Sequence, residues 1–348
     1  MQQGQQVKLG TLLSAWGRVL RGYSPLLSIE ITRECPLHCP GCYAYGDNHL
    51  GAGVSLRQLS DLRGDELVEG VLAAVQKHRP LQVSLVGGEP LIRHRELSRI
   101  LPVLDEWGVF SLVVTSLVIP FPAEWNKLRH VRVGVSIDGL APEHNARRAP
   151  ATYERILENL EGRKVDVSWV ITNQMLQRPG YLEEYVAFWC ERPEVDLIWP
   201  SLYTPQRGEK SAEMLTPESR SRLLEELLTL RRKYSCLHLP RRAIEALAKP
   251  PADPAHCTFS RISLNYTADL ETIVEPCFFG GNPDCSQCGC SISANLHAIH
   301  EKRLAMGLKA GYLIDGVLSV ARYMAPKGSR LRRPPRSSGP MVQTPEHA

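Results

Sequence analysis

Cys35, Cys39 and Cys42 put three thiols into eight residues, within the stretch Ile29-Glu-Ile-Thr-Arg-Glu-Cys35-Pro-Leu-His-Cys39-Pro-Gly-Cys42-Tyr43. The number three carries chemical information. A closed zinc site takes four ligands in a tetrahedron, whereas three thiolates on a cubane iron–sulfur cluster leave one iron open to bind something else. His38 is the competing fourth zinc ligand, but it adjoins Cys39, so both would reach one ion only through a strained loop. A disulfide framework does not suit a chain that opens on Met1-Gln-Gln-Gly-Gln-Gln with no hydrophobic signal segment, so the expected compartment is reducing and cytoplasmic.

Eight of the ten cysteines fall into two groups, and the second group is Cys257, Cys277, Cys285, Cys288 and Cys290. Four of these five suffice for one site. Cys285-Ser-Gln-Cys288 is also an ordinary zinc-knuckle spacing, so the residues alone leave iron and zinc both open. Residues 262–266 and 271–274 read as a hairpin around Thr267-Ala-Asp-Leu270. Cys190 and Cys236 stand alone on helical patterns and read as buried small apolar residues.

The elements that must position these thiols alternate between strand and helix from Leu26 onward. Buried parallel strands are expected over 26–31, 81–86, 110–114, 131–135, 165–171 and 195–199, with the cysteine loop at the carboxyl end of the first. Between them, apolar stripes mark helices: Leu67, Val68, Val71, Leu72 and Val75; then Leu97, Ile100, Leu101, Leu104 and Trp107; then Tyr153, Ile156, Leu157 and Leu160; then Leu182, Tyr185, Val186 and Trp189. An eight-unit barrel takes ~250 residues, so six β/α units need roughly 190, close to the span available. An amphipathic helix over 9–22, with Leu12, Leu13, Trp16 and Leu20 on one side, precedes the series. A capped helix from Thr216 presents Leu223, Leu224, Leu227, Leu228 and Leu230 to the protein and Arg220, Arg222, Arg231 and Arg232 to solvent. Closing helices are expected over 292–323, with Leu296, Ile299, Leu304 and Leu308 on the packed side of one and Leu313, Val317 and Val320 on that of the next.

Polar motifs sit where the strands end, the face at which parallel α/β folds bind ligands. Gly87-Gly88-Glu89-Pro90 follows the second strand; its glycines admit close backbone approach, and Glu89 can accept from an ammonium. Ser136-Ile-Asp138-Gly139 ends the fourth strand, with His144, Asn145 and Arg148 beyond it, and a guanidinium fork suits a carboxylate as a small hydroxyl suits a sugar edge. Thr115-Ser116 and Thr172-Asn173 close the third and fifth strands and are candidates for sugar and base contacts.

The Cys-x3-Cys-x2-Cys-aromatic spacing, the Gly-Gly-Glu-Pro turn and the order Ser136-Ile-Asp-Gly, His-Asn, Arg148 together resemble the radical S-adenosylmethionine (SAM) superfamily. The resemblance implies a partial (β/α)6 TIM-like barrel, open along one side. It implies that Cys35, Cys39 and Cys42 hold a [4Fe-4S] cluster whose free iron chelates SAM, and that an electron from the cluster cleaves the sulfonium to a 5′-deoxyadenosyl radical that abstracts hydrogen from substrate. The implied SAM contacts are Gly87, Gly88 and Glu89 at the amino group and Ser136 and Arg148 at the carboxylate and ribose, with Tyr43, Thr115 and Asn173 completing the candidate site. The cysteines after residue 256 resemble the auxiliary-cluster extension called SPASM or, when shortened, twitch. With a single clustered turn, Cys285-Ser-Gln-Cys288-Gly-Cys290, the expectation is one auxiliary [4Fe-4S] cluster, with zinc the alternative. Phe278 stands where sulfatase-maturing members carry an aspartate base, which argues against that substrate.

The implied organisation is an N-terminal helix over 1–24, the barrel over 25–202, a helical bridge and Pro-rich linker over 203–254, the auxiliary region over 255–324 and a disordered tail over 325–348. The expected partners are a low-potential donor, flavodoxin or ferredoxin, and a peptide or small-molecule substrate; a leader peptide would need a separate recognition protein because the strand series starts by residue 26. The 348 residues are 43% hydrophobic, enough for a large core, and the formal charge of +4 comes almost wholly from Lys327, Arg330, Arg332, Arg333 and Arg336 in the tail. A balanced body argues against a nucleic-acid groove, and no apolar run reaches the ~20 residues of a membrane span. The competing class is non-enzymatic, an iron–sulfur or zinc protein that senses or relays electrons without consuming SAM.

Overall fold

A computed structural model describes residues 17–40, 42, 60–150, 152–302 and 309–324. Tyr43, most of the helix expected over 9–22, the expected packing residues Leu304 and Leu308 and the tail from 325 lie outside the described residues. Residues 17–20 are helical, with Val19 buried and Leu20, expected on the packed side, 38% exposed.

Six strands alternate with helices: β1 (Leu26–Thr32), α1 (Gly64–His78), β2 (Gln82–Gly87), α2 (His94–Glu106), β3 (Phe110–Thr115), β4 (Val131–Ser136), α3 (Ala141–Arg147), α4 (Tyr153–Leu160), β5 (Val165–Ile171), α5 (Tyr181–Cys190) and β6 (Val195–Leu202). There follow α6 (Pro217–Lys233), α7 (Arg241–Leu247), α8 (Thr258–Ile262), β7 (Ser263–Tyr266), α9 (Ser291–His300) and α10 (Ala310–Met324). The sheet runs β6-β5-β4-β3-β2-β1-β7 and every pairing is parallel. Strands β1 to β6 lie in chain order with no reversal, so the sheet winds one way, as a barrel wall does, and has no switch point of the doubly wound kind. The fold is an α/β partial TIM-like barrel.

The strands are apolar because both faces are covered. Ile29, Ile31, Val83, Leu85, Val113, Val135, Val167 and Trp169 are sealed beneath Leu67, Ile100, Leu104, Ile156, Tyr185 and Trp189 in one continuous core. Trp107 departs from its expected stripe and is 41% exposed, because the helix ends there and Gly108 turns the chain at φ 66°. On α10 the buried side is Ile314, Leu318 and Ala321, while the expected Leu313 and Val320 face outward.

The expected hairpin is present: Tyr266 pairs antiparallel with Ile273, Val274 N donates to Asn265 O at 2.8 Å and Thr267 N to Thr272 O at 2.9 Å, and residues 263–266 also extend the sheet beside β1, with Leu26 opposite Ser263 and Ile29 opposite Tyr266. Two further expectations are corrected. Cys190 and Cys236 are joined in a disulfide with Cα atoms 5.8 Å apart. The chain after α6 runs alongside β6, where Ile198 N donates to Cys236 O at 2.8 Å, and this brings Cys236 to the end of α5. Arg220 and Arg231 are not fully solvated: each is half-buried and donates to a backbone carbonyl of a neighbouring segment, Arg220 to three of them, whereas Arg222 and Arg232 are exposed as expected.

Candidate functional site

The cysteine loop leaves the carboxyl end of β1 under tight control. Asp61 accepts from Thr32 Oγ1 at 2.6 Å, from Arg33 N at 2.9 Å and from Arg33 Nε at 2.5 Å. Glu34 accepts from Arg93 at 2.7 Å and from Arg63. Beyond this anchored base Cys35, Cys39 and Cys42 are each half-buried; Cys42 N turns back onto Cys39 O, and His38 N donates to Ala149 O at 2.7 Å, one residue past Arg148. Burial pushes the Cys35 thiol up to about 11, with Glu89, Cys39 and Cys42 adding to the rise. Burial raises Cys39 as well, and the nearby Arg148 guanidinium opposes it. Desolvated thiols that feel one another's charge are poor anions alone and good ones around a metal, which takes the place of their protons. The donor set therefore fits an iron–sulfur cluster.

The Gly87-Gly88-Glu89 turn is docked onto that same base. Gly88 N donates to Thr32 O at 2.7 Å and Glu89 N to Glu34 O at 2.8 Å. Gly87 has φ 131°, and a Cβ there would stand 2.3 Å from Thr32 O, so only glycine closes the approach. The Glu89 carboxylate does not face the mouth as an open acceptor. It is fully buried, one oxygen taking Leu91 N at 3.0 Å and Thr115 Oγ1 at 2.5 Å, the other Ser116 N at 2.8 Å and Ser116 Oγ at 2.5 Å. Thr115 is likewise engaged inward, since its hydroxyl also accepts from Leu117 N at 2.9 Å. Glu89 and Thr115 thus tie the ends of β2 and β3 together, and what the turn presents outward is backbone.

Asp138 organises the end of β4. It is fully buried, accepts from Arg147 at 2.5 Å, Arg148 Nε at 2.8 Å and Val170 N at 3.1 Å, and although burial pushes its carboxyl up, the two guanidinium groups hold it down to about 2. Arg148 is so fixed beside Cys39, and Ser136 is half-buried two residues before Asp138. Arg147 forks onto Glu213 at 2.6 and 3.2 Å. His144 is fully enclosed: Nδ1 accepts from Asp138 N at 3.3 Å, Nε2 meets Thr152 Oγ1 at 3.2 Å, and burial lowers it to about 4. It is a structural, neutral histidine. Asn145 caps α4 through Thr152 N and Tyr153 N.

A cavity of about 550 Å³ opens at the mouth between Pro40 of the cysteine loop, Arg147 on α3, Thr172 after β5, Tyr203 after β6 and Glu213. Asn173 lies just beyond its lining, half-buried, with its N–H on Glu213 O at 3.0 Å.

The second group of cysteines converges. Cys257, Cys277, Cys285, Cys288 and Cys290 all line one cavity with Phe259, Phe278 and Phe279. Burial raises Cys277 far above its ordinary range, Cys285 to about 12, Cys288 to about 11 and Cys290 higher still. A thiol-lined cavity so poor in countercharge fits a metal group that takes up thiolates. Among the described residues no three His, Cys, Asp or Glu side chains meet as ligands of a single ion; a cubane's four irons each take their own thiolate, so its cysteines need not meet at a point. The turn that carries Cys288 and Cys290 is pressed onto β6: Leu202 N donates to Gly289 O at 2.9 Å, Gly289 N to Thr204 Oγ1 at 2.9 Å, and a Cβ on Gly289 would lie 2.0 Å from Leu202 O. Arg220, reaching from α6, donates to Gln287 O at 3.0 Å, Cys288 O at 2.6 Å and Leu247 O at 2.7 and 2.9 Å.

The motif reading gave no role to Asp138, Arg147, Tyr203, Glu209 or Glu213. For Asp138 the signal was present, an acid at a strand end followed nine and ten residues later by two arginines; the others fall in or pair with residues 203–213, which have no periodicity to read.

Residues 29–187 match the family model described as the Radical SAM superfamily. No curated protein sequence matches the chain. Among solved structures the chain is similar to SuiB of Streptococcus suis bound to the precursor peptide SuiA, with a TM-score of 0.55 at 14% identity over 80% of this chain and 66% of that one. It is similar to SuiB bound to S-adenosylmethionine, with a TM-score of 0.51 at 14% identity over 77% and 64% of the two chains. Native anSMEcpe with bound AdoMet gives 0.53 at 14% identity over 86% and 99%. The chain thus spans just under two thirds of SuiB, and at these identities the likeness is one of fold.

Proposed function

Residues 29–187 match the radical SAM superfamily, and on that premise we propose that the chain is an enzyme of that superfamily, one that cleaves SAM reductively and uses the resulting radical to modify a peptide. One observation carries the reading: the cysteine loop, the Gly87-Gly88-Glu89 turn and the Asp138-anchored Arg148 meet at the carboxyl ends of β1, β2 and β4, joined by Gly88 N to Thr32 O and by the charge of Arg148 beside Cys39. Cys35, Cys39 and Cys42 would hold a [4Fe-4S] cluster, which when bound supplies the electron for SAM cleavage and a free iron for SAM. The protein's part is placement and exclusion of water. Backbone groups of residues 87–89 bind the SAM amino group, Glu89 having spent its carboxylate on fixing that backbone. Asp138 orients Arg148 for the SAM carboxylate, and Ser136 serves the ribose.

Four of Cys257, Cys277, Cys285, Cys288 and Cys290 supply the ligands of one auxiliary [4Fe-4S] cluster in a twitch-like region. A peptide substrate is favoured because SuiB and anSMEcpe, which share the fold, are each seen with a bound peptide. A flavodoxin or ferredoxin would supply electrons. The test is anaerobic incubation with dithionite and SAM, followed by assay for 5′-deoxyadenosine and methionine; both should form slowly without substrate and vanish in Cys39→Ala. About eight irons per chain are expected for two cubanes, and about four irons with one zinc would reassign the C-terminal site.

A further inference from the structure

The cavity at the barrel mouth has a charge imbalance that points to what enters it. Its size, about 550 Å³, falls in the range of ligand sites, and it adjoins the cysteine loop at Pro40. Its charged walls are Glu143, Glu209, Glu213 and a single base, Arg147. Arg147 has no charge to spare, since it serves Glu213 and the buried Asp138 together. Among the described residues Glu209 is held by neutral donors, the Tyr203 hydroxyl at 2.5 Å and Gln206 N at 2.8 Å. Glu143 takes the Tyr181 hydroxyl at 3.0 Å, with Arg178 no nearer than 3.9 Å. Among the described residues, Glu209 therefore faces the cavity with no ion-pair partner, and Glu143 with only the distant Arg178. The Tyr203 ring and Met175 beside them suit the aliphatic stem of a long basic side chain.

We propose that this cavity receives a cationic side chain of the substrate, a lysine or arginine carried on a peptide, and that Glu209 and Glu143 determine that preference. The inference rests on the peptide-modifying reading above and deepens it. A cation partly withdrawn from water and facing one such carboxylate gains on the order of 1 kcal/mol, a factor of about five in affinity.

The experiment is equilibrium binding to the anaerobically reconstituted, SAM-loaded enzyme, with acetylated tripeptide amides carrying lysine, norleucine or glutamate at the centre, and with n-butylamine as a bare cation. The lysine peptide should bind about fivefold more tightly than the norleucine peptide, with the glutamate peptide weakest, and Glu209→Gln should shrink the lysine advantage to under about twofold. Glu143→Gln provides the same reading should the first variant not fold. Butylamine binding as tightly as the lysine peptide would keep the cation and overturn the peptide as its source. Equal binding of the lysine and norleucine peptides by an enzyme that still forms 5′-deoxyadenosine overturns the inference alone; absence of 5′-deoxyadenosine from the wild type overturns the reading beneath it.

Discussion

Tyr203 and Thr204 are neighbours in the chain yet line different chambers: Tyr203 walls the cavity at the barrel mouth, and Thr204 walls the cysteine cavity, where its hydroxyl accepts from Gly289 N at 2.9 Å. One residue of backbone, leaving the end of β6, is the partition between the two. Whatever group the second set of cysteines holds therefore sits just behind the wall of the proposed substrate site.

That partition depends on Gly289. Its missing side chain lets the cysteine turn close onto Leu202 O, and an added methyl would need the 2.0 Å gap to widen. Gly289→Ala should cost about 1–3 kcal/mol and release the metal group proposed at the C-terminal cysteines while sparing the one proposed at Cys35, Cys39 and Cys42. Iron content per chain beside urea unfolding checks this; full retention of iron would show that the turn is not held there.

Arg220 should be indispensable to the same turn. Its fork spans carbonyls of Leu247, Gln287 and Cys288, which a lysine ammonium cannot reproduce. Arg220→Lys is expected to speed iron loss to a chelator roughly tenfold, as supporting residues around metal ligands do. Stopped-flow absorbance at the iron–sulfur band, on a Cys35/Cys39/Cys42 triple-alanine background, isolates the C-terminal site.

Gly87→Ala should be more damaging to SAM binding than to folding. The substitution strains a residue at φ 131° and drives a methyl into Thr32 O, so about 1–3 kcal/mol of stability is expected to go. The turn must also pull away from the cysteine loop, and SAM affinity, measured by equilibrium dialysis, should fall at least about tenfold, the effect of about 1.4 kcal/mol.

Acid should weaken the fold through His144. Burial, with Arg148 adding to it, lowers this histidine from 6.5 to about 4 in the folded state. Between those values the unfolded chain binds a proton that the folded one refuses, so the contribution is intact above about pH 6.5 and falls as pH drops toward 4, by about 1.4 kcal/mol per pH unit. His144→Asn keeps an acceptor for Asp138 N and should flatten this slope. Urea midpoints at pH 5 and pH 7 decide, and an unchanged slope would count against a neutral buried imidazole.

The barrel was readable because strands covered on both faces are continuous apolar runs, and six of them appear where expected within one to three residues. β7 was not readable as a barrel strand: Ser263-Leu-Asn-Tyr266 is short and half polar, and its partner β1 lies over 230 residues away. Long-range closure also hid the Cys190–Cys236 bond and the inward turn of Arg220, since a helix's sequence reports its polarity but not which carbonyls wait nearby. At the site, the cysteine spacing and the glycine turn are local signals and stand together. The engagement of Glu89 by Thr115 and Ser116 is not local, because its donors come from the next strand.

The pairing of β7 with β1 also limits how the molecule can be dissected. Removing everything after the linker would uncover the N–H and C=O groups of Leu26 to Ile29, an unsealed border next to the cysteine loop and prone to self-association. A shortened version lacking the last hundred residues should therefore precipitate rather than persist as a working half. Fragment studies need cut points outside the span from Leu26 to Tyr266.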